Sequence, residues 1–384
     1  MKRNIKILSL ILILVCVVTF SGCGLAGIIW GDDGDSGDET VTLHTLTQSV
    51  NILKNREVTV NTVDNSTLTK MSVTEVVDRV ADSVVEINTT ITSTTGAAGS
   101  GVLFATNETK YFVITNHHVI EDATNIVVVL TDGTQHVASL VASDAKSDIA
   151  VITISKGAID QERYTTVTVP SDNYKLRVGD TAIAIGNPLG SLGGTVTSGI
   201  VSALDRQISV EGQMMTLIQT DAAINSGNSG GALFDSYGQL IGIVNAKAAD
   251  IGIEGIGFAI PVKTAVSNAC DLIVSGYVIR PAIGITVMAF SDVSDIYKYS
   301  YEKNWSEYFN YTDCAIGLYI IEVSNTLSGL EVGDYIVTAD GVTVTTQAGL
   351  SNAINKHKVG ELLQLQVRRK GELKTISVTL IESV

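Results

Sequence analysis

The segment Thr220-Asp221-Ala222-Ala223-Ile224-Asn225-Ser226-Gly227-Asn228-Ser229-Gly230-Gly231 sets a serine among glycines. A nucleophilic serine needs an exposed hydroxyl and backbone N–H donors aimed at the oxyanion that develops on the attacked carbonyl. Glycines on both sides let the chain turn tightly, so the N–H groups of Gly227 and Ser229 can point into one hole. Asn and Gly are also ordinary turn residues, so by itself the segment reads equally well as a loop.

Such a serine also needs a base and a group to orient that base. Two of the five histidines are adjacent in Val113-Ile114-Thr115-Asn116-His117-His118-Val119-Ile120, at the end of an apolar run. There a side chain can leave the core and enter a cleft. Farther on, Ser147-Asp148-Ile149-Ala150-Val151-Ile152 places an aspartate at the start of a strongly apolar strand. An acid held there can fix an imidazole tautomer. Asp132 and Asp144 read as ordinary loop acids.

The surrounding pattern is β. Short β-branched runs separated by Gly, Asn and Asp recur from Val84–Thr92 through Tyr111–Thr115, Ile149–Ile154, Thr181–Ile185, Thr195–Ala203 and Gly257–Ile260. Many short strands at this spacing indicate an all-β barrel or sandwich. Helical spacing of apolar residues occurs at Val73–Val80 and again at Val262–Val274, which reads as a closing helix. A second module runs from Tyr277 to Val384 and ends in a strand, a Lys370-Gly371-Glu372 turn and a strand.

The order His–Asp–Ser on a β-rich chain resembles the chymotrypsin-fold serine proteases, and the motifs are closest to the HtrA/Deg family. Thr115-Asn116-His117-His118-Val119, Ser147-Asp148-Ile149-Ala150-Val151 and Gly227-Asn228-Ser229-Gly230-Gly231 each match that family's catalytic segments. So do Ala184-Ile185-Gly186-Asn187-Pro188-Leu189-Gly190 and Gly257-Phe258-Ala259-Ile260-Pro261. The resemblance covers nearly all of residues 72–384. It implies two six-stranded chymotrypsin-like β-barrels followed by a PDZ-like α+β domain. It assigns His118 as base, Asp148 as its orienting acid and Ser229 as nucleophile, with Gly227 and Ser229 forming the oxyanion hole and His117 a neighbour. Ala223, six residues before the nucleophile, floors the S1 pocket in this fold. With no acid there, cleavage after small or medium apolar residues is expected rather than after Lys or Arg.

Tyr277–Val384 resembles the PDZ domain of the same family. Arg280-Pro281-Ala282-Ile283-Gly284-Ile285 matches its carboxylate-binding loop, so Ile283, Gly284 and Ile285 are expected to hold a peptide C-terminus. Two features depart from the family pattern. Ser324-Asn325-Thr326-Leu327-Ser328 replaces a Pro-Ala-Ala-rich turn. The stretch Phe290–Tyr311 holds eight of the 21 aromatics, which suits either a peptide-contact surface or a packed insertion closing one end of the domain.

Composition bounds these readings. The 384 residues suggest two or three domains. A net charge of −15, from 25 Lys+Arg against 40 Asp+Glu, argues against nucleic acid as a partner. Lys2, Arg3 and Lys6 precede the apolar stretch Ile7–Phe20, which is short for a permanent span and reads as an export signal. Ser21-Gly22-Cys23 then resembles the lipobox of bacterial lipoproteins, in which Cys23 is acylated and becomes the new N-terminus; an uncleaved signal anchor is the alternative. Both place the rest of the chain outside the cytoplasm, tied to the bacterial cell membrane. The organisation expected is a signal peptide over 1–22, an acidic and Thr-rich tether over 23–70, a protease domain over 71–275 and a PDZ domain over 277–384. Two cysteines do not make a disulfide scaffold; Cys270 and Cys314 are expected as two separate buried thiols, with one bridge between them as the alternative.

The function expected is a membrane-tethered extracytoplasmic serine endopeptidase, needing no cofactor or metal. It would act on misfolded or signalling proteins, binding unfolded chains and exposed C-termini, and the resemblance implies a homotrimer. The competing reading is a proteolytically inactive chaperone or peptide-binding adaptor.

Overall fold

A computed structural model describes residues 46–50, 58–63, 68–92, 95–186, 194–211, 213–249, 255–303 and 315–383. The signal segment, Cys23, Cys314 and residues 187–193 lie outside the described residues.

The first sheet holds ten strands: β1 (Leu46–Val50), β2 (Val58–Val63), β3 (Val84–Thr90), β4 (Gly96–Thr106), β5 (Lys110–Thr115), β6 (Asn125–Val129), β7 (Gln135–Val137), β8 (Ser139–Asp144), β9 (Ile149–Ser155) and β10 (Thr168–Pro170). Its main path is β7-β6-β3-β4-β5-β9-β8, with β2 joining β1, β10 and β4. Helix α1 (Val73–Val80) precedes β3. It begins where Ser72 and Glu75 exchange hydrogen bonds, the Ser72 hydroxyl accepting from Glu75 N–H and the Glu75 carboxylate from Ser72 N–H. The inner faces of these strands bury Val85, Ile87, Leu103, Val113 and Ile152. At ~1.5–3 kcal/mol for each such side chain, this burial is the main favourable contribution to the fold.

The second sheet closes into a barrel of β11 (Thr181–Gly186), β12 (Thr195–Val210), β13 (Gln213–Thr220), β14 (Ala232–Phe234), β15 (Leu240–Val244) and β16 (Gly257–Pro261) in the order β11-β12-β13-β16-β15-β14. The first sheet does not close by a ladder. Its end strands, β7 and β8, are consecutive and separated only by Ala138, whose N–H donates to Ile126 O in the register of the β6–β7 ladder. Of the two six-stranded barrels expected, one is closed among the described residues, and the first sheet forms a half-barrel.

β1 and β2 come from residues whose composition suggested a tether. Val58, Val60 and Val63 are buried, and β2 pairs antiparallel with β4 and parallel with β10. Helix α4 (Val262–Ser275) packs against β8, β9 and β15 and ends at Gly276, whose φ of +84° supplies the left-handed cap. Cys270 on α4 carries a free thiol that burial pushes up to about 11.

The C-terminal module contains β17 (Pro281–Ala282), β18 (Ile285–Phe290), β19 (Gly317–Val323), β20 (Tyr335–Ala339), β21 (Val342–Thr343), β22 (Leu362–Arg369), β23 (Glu372–Thr379) and β24 (Ile381–Glu382). Its main sheet runs β18-β19-β20-β22-β23. One face packs with α6 (Gln347–Ile354) around Leu318, Ile320, Leu350 and Leu365. Phe290, Tyr319 and Tyr335 come from the opposite alternation and form a separate cluster with Ile296 and Tyr299 of α5 (Val293–Glu302). Phe290 meets the rings of Tyr299 and Tyr319 edge-on, both at 5.6 Å. This part of the aromatic stretch is a packed insertion.

Candidate active site

Three local structures converge between the two sheets. β5 ends at Thr115, and Asn116 is the N-cap of the four-residue helix α2 (His117–Ile120), which turns His118 toward the second barrel. Asp148 sits in the turn between β8 and β9 with a φ of +52°, a conformation that Asp tolerates better than most residues. Ser229 lies between a 3₁₀ turn at Ser226–Asn228 and β14. Gly230 follows with a φ of +78°, and a Cβ on it would stand 2.2 Å from Thr115 Oγ1 and 2.3 Å from Ser100 O. Only glycine fits there, because the two sheets touch at this point.

His118 Nδ1 is 2.7 Å from Asp148 Oδ2, and Nε2 is 2.9 Å from Ser229 Oγ. The second Asp148 oxygen accepts the backbone N–H of His118 at 3.0 Å. An ionised carboxylate only accepts, so Nδ1 carries the ring proton and the Nε2 lone pair faces the serine O–H. Asp148 and Ser229 are nearly fully buried. His117 turns away: its Nδ1 pairs with Ser143 Oγ at 3.1 Å.

Several supporting residues escaped the sequence reading. Asn245, fully buried at the end of β15, donates from Nδ2 to Asp148 Oδ2 at 2.9 Å, while its Oδ1 accepts Ala248 N–H at 3.0 Å. Asn116 donates to the Asp148 carbonyl at 3.0 Å. Ser100 binds the nucleophile segment twice: its N–H donates to Ser229 O and its hydroxyl to Gly227 O, both at 2.8 Å. These residues come from separate strands, and no local motif marks them.

Beside the serine, the Ala223 carbonyl accepts the Thr197 hydroxyl at 2.8 Å. Ile224 leans over Gly257, where an added Cβ would come within 2.4 Å of Ile224 Cγ1. Far from this cleft, Gly284 has a φ of +76°. Its carbonyl accepts the N–H groups of Ser324 and Asn325, and the Ile283 carbonyl accepts Asn325 Nδ2 at 3.2 Å. In a trans peptide the N–H points opposite its C=O, so the N–H groups of Gly284 and Ile285 face the other way, as in an anion-holding nest.

Both modules match known families. Residues 99–243 match the trypsin-like peptidase domain family and residues 281–380 the PDZ domain family. The serine protease Do-like HtrA of Lactobacillus helveticus is 38% identical over 297 residues, which span 74% of this chain and 69% of that protein. The chain belongs to the HtrA/Deg family of serine proteases. The family member HtrB of Bacillus subtilis is 38% identical over 291 residues, spanning 73% of this chain and 61% of HtrB. The solved structure of the HtrA-type protease AlgW with tripeptide shares 32% identity and a TM-score of 0.58, covering 82% of this chain and 98% of that one.

Proposed function

We propose that the chain is a serine endopeptidase working through Ser229, His118 and Asp148. The observation that carries this reading is the His118 ring held between a carboxylate at 2.7 Å and a serine hydroxyl at 2.9 Å. His118 Nε2 takes the hydroxyl proton as Ser229 Oγ attacks a peptide carbonyl. Asp148 stabilises the imidazolium that forms. His118 returns the proton to the leaving amine, and water releases the acyl-enzyme by the same steps. The N–H groups of Gly227 and Ser229 are the oxyanion donors. Ala223 and Ile224 supply an apolar S1 wall.

The wider setting rests on sequence. The apolar leader and Cys23 support an extracytoplasmic enzyme tethered to the membrane, and family membership supports a homotrimer. The nest at Ile283, Gly284 and Ile285 supports binding of exposed protein C-termini by the second module, with unfolded or signalling proteins as substrates. A fluorophosphonate probe tests the core of the proposal. The wild type should label, Ser229→Ala should not, and His117→Ala should keep much of the signal. No labelling of wild type at any pH or temperature overturns it. Palmitate incorporation that persists in Cys23→Ser would remove the lipid assignment.

A further inference from the structure

β18 stands at the end of its sheet and pairs with β19 along one edge. Gln347, the first residue of α6, reaches the other edge and donates from Nε2 to Val287 O at 3.0 Å. The Val287 carbonyl therefore points away from β19 and toward α6, and the same edge presents the polar groups of Ile285 two residues before. Between strand and helix lie Ile283, Ile285, Val287, Leu350 and Ile354. This groove opens at the Gly284–Ile285 nest and is crossed farther along by the Gln347 side chain.

A peptide adding to this edge antiparallel to β18 places its carboxylate at the nest. Hydrogen-bonded partners recur every second residue, so the N–H two residues before the peptide's last residue meets Val287 O. That carbonyl is where Gln347 now donates. We propose that Gln347 is a built-in competitor for the strand edge, setting the affinity of the groove for C-terminal peptides by capping Val287 O until a peptide N–H replaces it. The proposal rests on the reading of this groove as a peptide site. Gln347 is exposed, so its hydrogen bond is worth little net, and release of the cap changes affinity by a modest factor.

Fluorescence anisotropy on the full chain tests this. The probes are labelled decapeptides ending in Val, Leu or Phe with a free carboxylate, and their C-terminally amidated counterparts. Gln347→Ala and Gln347→Met both remove the donor, and Met keeps the length and helix propensity of Gln. Both should bind the free-carboxylate peptides about threefold more tightly than wild type. Equal or weaker binding by Gln347→Met, while wild type binds, overturns the cap and leaves the groove as a peptide site. Tighter binding by Gln347→Ala alone assigns the effect to bulk and also overturns it. Amidated peptides binding as well as free ones removes the carboxylate reading instead. No binding by any of the three proteins overturns both.

Discussion

Arg280 grips Asp144 with both terminal nitrogens, Nη1 to Oδ1 at 2.9 Å and Nη2 to Oδ2 at 2.5 Å. The same carboxylate accepts the N–H of Ser147 at 2.8 Å and its hydroxyl at 2.6 Å. Ser147 directly precedes Asp148. The entrance to the C-terminal module is thus bonded to the turn that presents the acid to His118. Arg280→Ala leaves the half-buried carboxylate with Ser147 alone, and should cost about 2 kcal/mol of stability at pH 7. Burial opposes ionisation of Asp144, but Arg280 and Ser147 outweigh it and hold the carboxyl below its usual range. Such a group contributes stability that is complete above the unfolded value near ~4 and is lost as pH falls through the folded one. Urea unfolding should show the gap between wild type and variant narrowing below about pH 4. An equal gap at pH 3 and pH 7 contradicts this.

Asn245 should matter through Asp148 rather than through substrate. Its Nδ2–H is the one side-chain donor besides the imidazole on Asp148 Oδ2 among the described residues. Asn245→Ala removes a hydrogen bond to a charged acceptor, worth about 1.5–3 kcal/mol, and lets the carboxylate rotate away from Nδ1. If that energy falls on the transition state, kcat drops roughly 10–100-fold. KM should stay within about twofold, and Asn245→Ser, which keeps a donor, should recover part of the loss. Steady-state kinetics on an unfolded protein substrate checks all three.

These two relationships show where the sequence was readable. His118, Asp148 and Ser229 each sit in a short motif whose residue types announce their chemistry, and the β-branched runs around them announce the strands. Asn245 and Ser100 act across strands far apart in the chain, so nothing near them in sequence marks their role. β2 was obscured for another reason. Val58 and Val60 alternate as a strand should, but the Thr- and Asn-rich average of their neighbourhood hid the pattern. Arg280 was read only as part of the carboxylate loop, because an ion pair to Asp144 136 residues earlier leaves no periodic trace.

The nest should depend on Asn325, which stands where the family carries a different turn. Asn325→Ala frees the Ile283 carbonyl and loosens the side that orients the Gly284 and Ile285 N–H groups. Affinity for free-carboxylate peptides should fall about fivefold, opposite in sign to the Gln347 variants. Gly284→Ala should be worse, since φ is +76° and the new Cβ would lie 2.6 Å from Asn325 Cβ. Anisotropy with the same decapeptides reads both, and unchanged affinity in Asn325→Ala refutes the clamp.

Ala223, proposed to line the S1 pocket, should set its charge preference. An acid at this position would meet a basic side chain, so Ala223→Asp should transfer preference from apolar toward Lys and Arg at P1, by at least tenfold in relative kcat/KM. Mass-spectrometric mapping of cleavage sites on an unfolded protein checks the change. Retained apolar preference with full activity would place the pocket floor elsewhere.

Asp235 should be a residue whose charge weakens the fold. It is 1% exposed in the turn after β14, and Oδ1 accepts the N–H groups of Tyr237 and Gln239 at 2.8 and 2.9 Å. Oδ2 and the nearby Gln239 Oε1 are buried with no hydrogen-bond partner among the described residues. Burial, with the Asp180 charge adding to it, pushes the Asp235 carboxyl above its usual range, and the Gln239 and Tyr237 N–H groups and the Tyr174 hydroxyl only partly offset this. A carboxyl raised on folding makes the native state bind more protons than the unfolded chain. Stability from this group is therefore greatest below the unfolded value near ~4 and declines as pH rises through the raised one. Asp235→Asn keeps the acceptor for both N–H groups, removes the buried charge and adds a donor beside orphaned acceptors. The variant should be more stable than wild type by about 1 kcal/mol at pH 7, and the advantage should shrink as wild-type Asp235 takes up its proton toward pH 4. Thermal unfolding at the two pH values decides it, and a variant less stable at pH 7 shows that the ionised carboxylate is satisfied where it stands.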